Sequence, residues 1–188
     1  GDKPDVEQPA APQRSGSPGS PSTWESLGRE GRAFVSGGPS LGDLAAFSAS
    51  RGRGANVMTP IRVYAGLRSG DTLSEVAGVV VDELDRTDAW GRDVLVVATA
   101  TGTGSIPPSM ADALEYLHGG DTAIASMQYS YLPSWVSFVT DRETPPAAGK
   151  ALFEAVYARW SQLPADDRPA LMVFGESLGS YGSQGTFS

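Results

Sequence analysis

Residues 93–100 read DVLVVATA, an almost unbroken apolar run rich in valine. The run is too short for a helix and too apolar for a strand with one face in water, so a strand buried on both faces is expected. Strands of that kind belong to parallel sheets covered by helices on either side. Such a sheet needs strands and helices in alternation along the chain, and the neighbouring segments supply them.

Downstream, TGTGSIPP leads into a helix expected over about 109–117, with His118-Gly119-Gly120 at its stop. TAIASMQY, residues 122–129, is the next strand. A loop with Pro133 and Trp135 follows. Pro145-Pro146 then opens a helix with Leu152, Phe153, Val156, Trp160 and Leu163 on one face, and Pro164 closes it. ALMVFG, residues 170–175, is the last strand. Upstream, IRVYAGL from Ile61 is a strand. Thr72 and Glu75 form a capping-box signature ahead of Leu73, Val76, Val80 and Leu84 at helical spacing. The alternation predicts stacked βαβ units, hence an α/β fold with a parallel sheet and right-handed crossovers.

Before that pattern, Trp24, Leu27, Phe34, Val35, Leu41, Leu44 and Phe47 suggest short helical pieces packing onto the core, and SASRGRGANVMTP (48–60) reads as a loop. Residues 1–22, GDKPDVEQPAAPQRSGSPGSPS, are rich in Pro, Ser and Gly and almost lack large apolar side chains. Apolar burial there cannot offset the entropy of ordering, so a flexible linker is expected over 1–22. Residues 23–188 are then one domain.

A chain of 188 residues is about one domain in length. Fourteen Lys and Arg against 22 Asp and Glu leave a net charge of −8. That balance disfavours nucleic acid as a partner, which requires a cationic face. There is no cysteine, so disulfides, thiolate metal sites and a cysteine nucleophile are excluded, and the single histidine excludes a multi-histidine metal site. No apolar run approaches the roughly 20 residues of a membrane-spanning helix.

The last strand runs straight into Gly175-Glu176-Ser177-Leu178-Gly179. A Gly-x-Ser-x-Gly match is weak by itself in a chain with 23 glycines. Its position after a buried strand strengthens it. A nucleophile elbow bends so sharply that side chains two residues before and after the serine would collide, and glycines stand at both places. Ser177 is thus the candidate nucleophile. The alternative is a serine on a phosphate-binding or plain strand-to-helix loop. LGSYGSQGTFS, where an elbow's helix would begin, is a poor helix former.

Acyl transfer also needs two N–H groups aimed at the developing oxyanion. One comes from the residue after the nucleophile, Leu178; the other comes from the loop after an earlier strand. That loop is Thr101-Gly102-Thr103-Gly104, with Thr103 the candidate donor. A generic glycine-rich turn is the alternative. The dinucleotide fingerprint is not met, since Pro107 stands where its last glycine belongs, and the Walker A lysine is absent. QYSYLPSW (128–135) follows a strand at the same edge, so Tyr129, Tyr131 and Trp135 either line a substrate pocket or pack the loop onto the core.

GREGRAFVSGGPS, PIRVYAGLRSGDT, ATGTGSIPP, ALEYLHGGDTAIASMQYSYLPSW, ALFEAVYARWSQLP and VFGESLGSYGS resemble the actinobacterial α/β-hydrolase family membrane proteins, from about Trp24 to the end. The ATGTG loop is more loosely similar to the oxyanion loop of cutinases. The resemblance implies a three-layer α/β-hydrolase fold, a serine hydrolase activity, and an extracytoplasmic location with a membrane tether upstream of Gly1.

A serine hydroxyl needs a base to take its proton. His118 is the only histidine, and it lies at the end of a helix that returns to the amino edge of the sheet, about 20 Å from the carboxyl edge where Ser177 belongs. In α/β-hydrolases the acid and histidine follow the serine along the chain. Both are therefore expected beyond Ser188, and residues 23–188 are expected to be the N-terminal half of the catalytic domain. Asp121, Asp141 and Glu143 precede the serine and are not candidates for the acid. Glu176 is expected to shape the turn or face solvent. The expected activity is cleavage of an ester or related acyl, lipid-like substrate through an acyl-enzyme on Ser177, with no metal or cofactor. An acyltransferase on the same residues, or a non-catalytic extracytoplasmic binding domain, are the alternatives.

Overall fold

The computed structural model describes residues 6–54, 56–99, 106–128, 145–175 and 185–187. Five strands form one sheet: β1 Ile61–Ala65, β2 Val94–Thr99, β3 Thr122–Met127, β4 Ala170–Gly175 and β5 Gly185–Phe187. Their order is β1-β3-β2-β4-β5, with the first four parallel and β5 antiparallel to β4. The five α-helices among the described residues are α1 Gly28–Ser36, α2 Leu41–Ser50, α3 Leu73–Arg86, α4 Pro108–Leu117 and α5 Pro145–Trp160.

Strand alternation sorts the core into two layers. Leu95 and Val97 of β2 face a cluster with Val76, Ala77, Val80 and Leu84 of α3 and Leu152, Val156 and Trp160 of α5. Val94, Val96 and Ala98 face the opposite cluster with Leu27, Phe34, Val35, Ile106 and Ala111 of α4. All six residues of β2 are buried, as a strand covered on both faces must be. Each large apolar side chain so buried contributes roughly 1.5–3 kcal/mol before entropy is counted. The connections β1→β2 and β3→β4 both step toward β4, and α3 and α5 share a face. β2→β3 steps back, and α4 lies on the other face. That switching of faces is what right-handed crossovers require.

Local signals set the helix ends. The Thr72 hydroxyl accepts from the Glu75 N–H at 3.1 Å, and Glu75 reaches back to the Asp71 N–H, one residue before the cap. Pro145 begins α5. The Trp160 indole N–H at its end donates to the Pro169 carbonyl at 2.7 Å, with the Arg168 guanidinium 3.7 Å from the ring centroid. The last turn of α5 thereby fixes where β4 begins. β1 stops at Ala65, short of the strand expected through Leu67: Leu67–Ser69 form a 3-10 turn, and Gly66, where a Cβ would overlap the Ser26 carbonyl, lets that backbone pass close by. Residues 185–187, in the segment that reads as a poor helix former, form a strand.

The flexible linker expected over 1–22 is not what residues 6–22 form. Arg14 pairs with Arg62 in a parallel bridge: Ser15 N–H donates to the Arg62 carbonyl and Arg62 N–H to the Gln13 carbonyl. This short stretch covers the open edge of β1. The Arg14 guanidinium donates to the carbonyls of Pro60, Val35 and Gly37 at 3.1, 2.8 and 2.8 Å. The Ser15 and Ser20 hydroxyls both donate to Oε1 of Glu83, which is fully buried and paired with Arg86. The Ser22 hydroxyl donates to the Tyr64 carbonyl at 2.6 Å. A segment with little to bury is thus ordered by charged and hydroxyl partners far away in sequence. Burial, and then the neighbouring Arg62 charge, push the Arg14 guanidinium down to about 10, so it stays charged near neutrality.

Candidate active site

The carboxyl edge of the sheet takes its shape from one register. β2 and β4 pair residue for residue from Val94–Ala170 to Thr99–Gly175. The chain therefore leaves both strands side by side and at one level. Six paired residues leave no room for a one-residue slip, which would turn every side chain to the wrong face.

Thr99 is nearly buried, and helix α5 passes directly over it. A Cβ on Gly149 would stand 3.0 Å from Oγ1 and 3.2 Å from Cγ2 of Thr99. Gly149 is what lets the first turns of α5 approach the end of β2 so closely. The end of β3 is tied in as well. The buried Ser126 hydroxyl donates to the Ala98 carbonyl at 2.6 Å, and the Gln128 N–H donates to the Ala65 carbonyl at 2.9 Å. No sequence pattern singles out Thr99, Ser126 or Gly149, since their roles come from partners 28 to 50 residues away.

β2 and β4 are neighbours, yet the chain leaves β2 toward β3 and β4 toward β5, in opposite directions along the sheet. In a parallel sheet, a ligand crevice opens at the carboxyl ends of such a pair. The segments that follow carry the sequence candidates. Thr103 comes four residues after Thr99, Tyr129 directly after Gln128, and Ser177 two residues after Gly175. Ser177, Leu178, Thr103, Tyr129, Tyr131 and Trp135 all lie outside the described residues, as do Glu176, Asp141 and Glu143.

His118 is at the other edge. It caps the C-terminus of α4, its N–H donating to the Leu114 carbonyl at 3.2 Å and its carbonyl accepting from Asp121 N–H at 3.0 Å, directly before β3. It lines an open depression of about 410 Å³ with Phe47, Arg51, Arg53, Asp93 and Tyr116. Asp93 precedes the first residue of β2, so the six residues of that strand, about 20 Å, separate His118 from the Thr99–Gly175 level. Arg51 and Arg53 are exposed there. On the same edge the Arg92 guanidinium donates to the carbonyls of Thr59 and Gly120. Burial lowers its pKa, with Asp121 and Asp88 opposing.

Among the described residues, no group of three or more His, Asp or Glu could hold a metal ion, and no helix is long and apolar enough to cross a membrane. Comparison with known proteins bears on the family. No curated protein and no solved structure matches the chain. A family model described as "Alpha/beta-hydrolase family N-terminus" matches residues 1–39. The model described as "Alpha/beta-hydrolase family" matches residues 61–188, from the first residue of β1 through all five strands. With a parallel sheet clad by helices on both faces and most of its length matched, the chain belongs to the alpha/beta-hydrolase family.

Proposed function

We propose that this protein is a serine hydrolase that cleaves an ester or related acyl substrate through an acyl-enzyme on Ser177. The observation that carries the reading is the pairing of Thr99 with Gly175. Two residues of chain reach about 7 Å and four about 14 Å at most, so Ser177 and Thr103 start from adjacent anchors at one edge. In this reading the Ser177 hydroxyl attacks the acyl carbon and the leaving group departs with a proton. The amides of Leu178 and Thr103 hold the oxyanion. Water then releases the acid and restores the serine. Tyr129, Tyr131 and Trp135 line the substrate side.

The proton acceptor is not His118, which is a strand's length from the edge where the chemistry would occur. A histidine and a carboxylate from polypeptide beyond Ser188 complete the triad. The full-length protein holds this domain on the extracytoplasmic side of a membrane, a reading supported by the sequence resemblance.

The test is covalent labelling of the full-length protein with a fluorophosphonate probe. Labelling that disappears in Ser177→Ala is the expected result. Labelling that persists in that variant, or none in the folded wild-type protein, rejects the assignment.

A further inference from the structure

The amino edge of the sheet carries a second cavity, unconnected with Ser177. The open depression of about 410 Å³ beside His118 has the size of a small-ligand pocket. It lies a strand's length, about 20 Å, from the Thr99–Gly175 level, so what it holds is not the acyl substrate proposed above. Its walls are the end of α2 with the loop that follows, the end of α4, and Asp93 at the start of β2.

The loop holds Arg51 and Arg53 on one side. Arg51 N–H donates back to the Phe47 carbonyl at 3.2 Å, Arg53 N–H to the Ser48 carbonyl at 3.0 Å, and the Ser48 hydroxyl to the Gly54 carbonyl at 2.6 Å. Gly52, between the arginines, has a φ of +70°, which lets the chain reverse there. The Arg51 guanidinium lies 5.7 Å from the Phe47 ring centroid, and Arg53 Nη1 donates to the Leu117 carbonyl at the end of α4 at 3.4 Å. Phe47 in turn meets the Tyr116 ring edge-on at 5.1 Å.

Both arginines are exposed, and among the described residues neither forms an ion pair, although the chain carries a net charge of −8. Their forks are thus open to an outside anion. A planar carboxylate is satisfied by one guanidinium fork, whereas a tetrahedral phosphate has oxygens for two. On the sheet side Asp93 is also exposed and outside any ion pair among the described residues, its N–H donating to Asp121 Oδ1 at 3.2 Å. An ionised carboxylate only accepts, so it repels an anion and takes a hydroxyl.

We infer that the depression binds a hydroxylated phosphate ester, with Arg51 and Arg53 on the phosphate, Asp93 accepting from a hydroxyl, and the Phe47–Tyr116 pair beside the carbon skeleton. A free polyol phosphate and the glycerophosphate headgroup of a lipid share that chemistry. Leu117, 55% exposed at the rim, offers an apolar contact to the second.

The experiment is calorimetric titration of the full-length protein with glycerol 3-phosphate, inorganic phosphate and soluble dihexanoyl phosphatidylglycerol. Glycerol 3-phosphate is expected to bind more tightly than inorganic phosphate. Arg51→Gln and Arg53→Gln should each weaken it about fivefold, as for a charge-assisted bond discounted for solvent screening. Arg29→Gln, the same charge change at an exposed position of α1, should leave it unchanged. Asp93→Ala should lower the preference for glycerol 3-phosphate over inorganic phosphate. All are read on protein with unchanged Tm. Tighter binding of the dihexanoyl lipid assigns the site to a lipid headgroup, and weaker binding to a free ester. No binding of glycerol 3-phosphate at millimolar concentration overturns the inference. So does an affinity that Arg51→Gln and Arg53→Gln leave unmoved or that Arg29→Gln lowers equally, or a preference that survives Asp93→Ala.

Discussion

Thr99 and Gly175 are the last register pair of β2 and β4, and Gly149 of α5 rests on the Thr99 side chain. The position of one glycine in a helix therefore controls how the strand beside the candidate nucleophile ends. Thr99 sits in a strand paired on both sides, so it has little freedom to give way.

Two glycine substitutions should consequently have opposite signs. A Cβ at Gly149 meets Thr99 at 3.0–3.2 Å, whereas a Cβ at Gly78 in α3 meets nothing within 4 Å. Gly78→Ala should stabilise by about 0.5–1 kcal/mol through helix entropy alone. Gly149→Ala gains the same term but carries an overpacking cost of roughly 1–3 kcal/mol, for a net loss of about 1 kcal/mol. Denaturant titration of the two variants checks both signs, and fluorophosphonate labelling should slow in Gly149→Ala only.

His118→Gln should leave the labelling rate within about twofold of wild type, because proton transfer requires contact at about 3 Å and a strand's length intervenes. A large loss would mean that the base had been misassigned.

The serines of the N-terminal segment should behave as structural residues. Ser15→Ala and Ser20→Ala each remove a hydrogen bond to the buried Glu83 carboxylate and should cost about 1.5–3 kcal/mol. Because both donate to one oxygen, the double variant should depart from additivity. Glu83→Ala removes the acceptor of both serines and the carboxylate partner of Arg86, and about 3–5 kcal/mol is expected. Deleting residues 1–22 should lower the melting temperature and promote association through the bared edge of β1. A linker would be lost without consequence.

The Arg14 guanidinium makes a pH prediction. Burial holds its pKa in the folded state at about 10, below its unfolded value. Below that pH both states carry the charge, so the stability difference between wild type and Arg14→Gln should be the same at pH 6 and pH 9. Above about 10 the unfolded chain binds more protons, and the difference should shift in favour of wild type by up to about 1.4 kcal/mol per pH unit. Urea titrations of both proteins at three pH values measure it.

Strand, helix and cap positions were readable in the sequence because each is a local matter. Hydrophobic period, a threonine three residues before a glutamate, and a proline at a helix start all act within a few residues. DVLVVATA announced a strand covered on both faces, and the Leu152, Val156 and Trp160 stripe announced the face that α5 buries. The glycines around Ser177 and in TGTG likewise marked where chemistry would be sought, and His118 disqualified itself by its place at a helix stop.

Tertiary structure alone decided that β2 lies between β3 and β4, so that Thr99 and Gly175 end side by side. It also decided that a Pro/Ser/Gly-rich stretch is ordered. Serine hydroxyls and an arginine state what they can bond, never with whom, and the Glu83 carboxylate that holds Ser15 is 68 residues away. Contacts at that separation follow from which faces are left to be covered once the sheet has formed, and no local pattern records them.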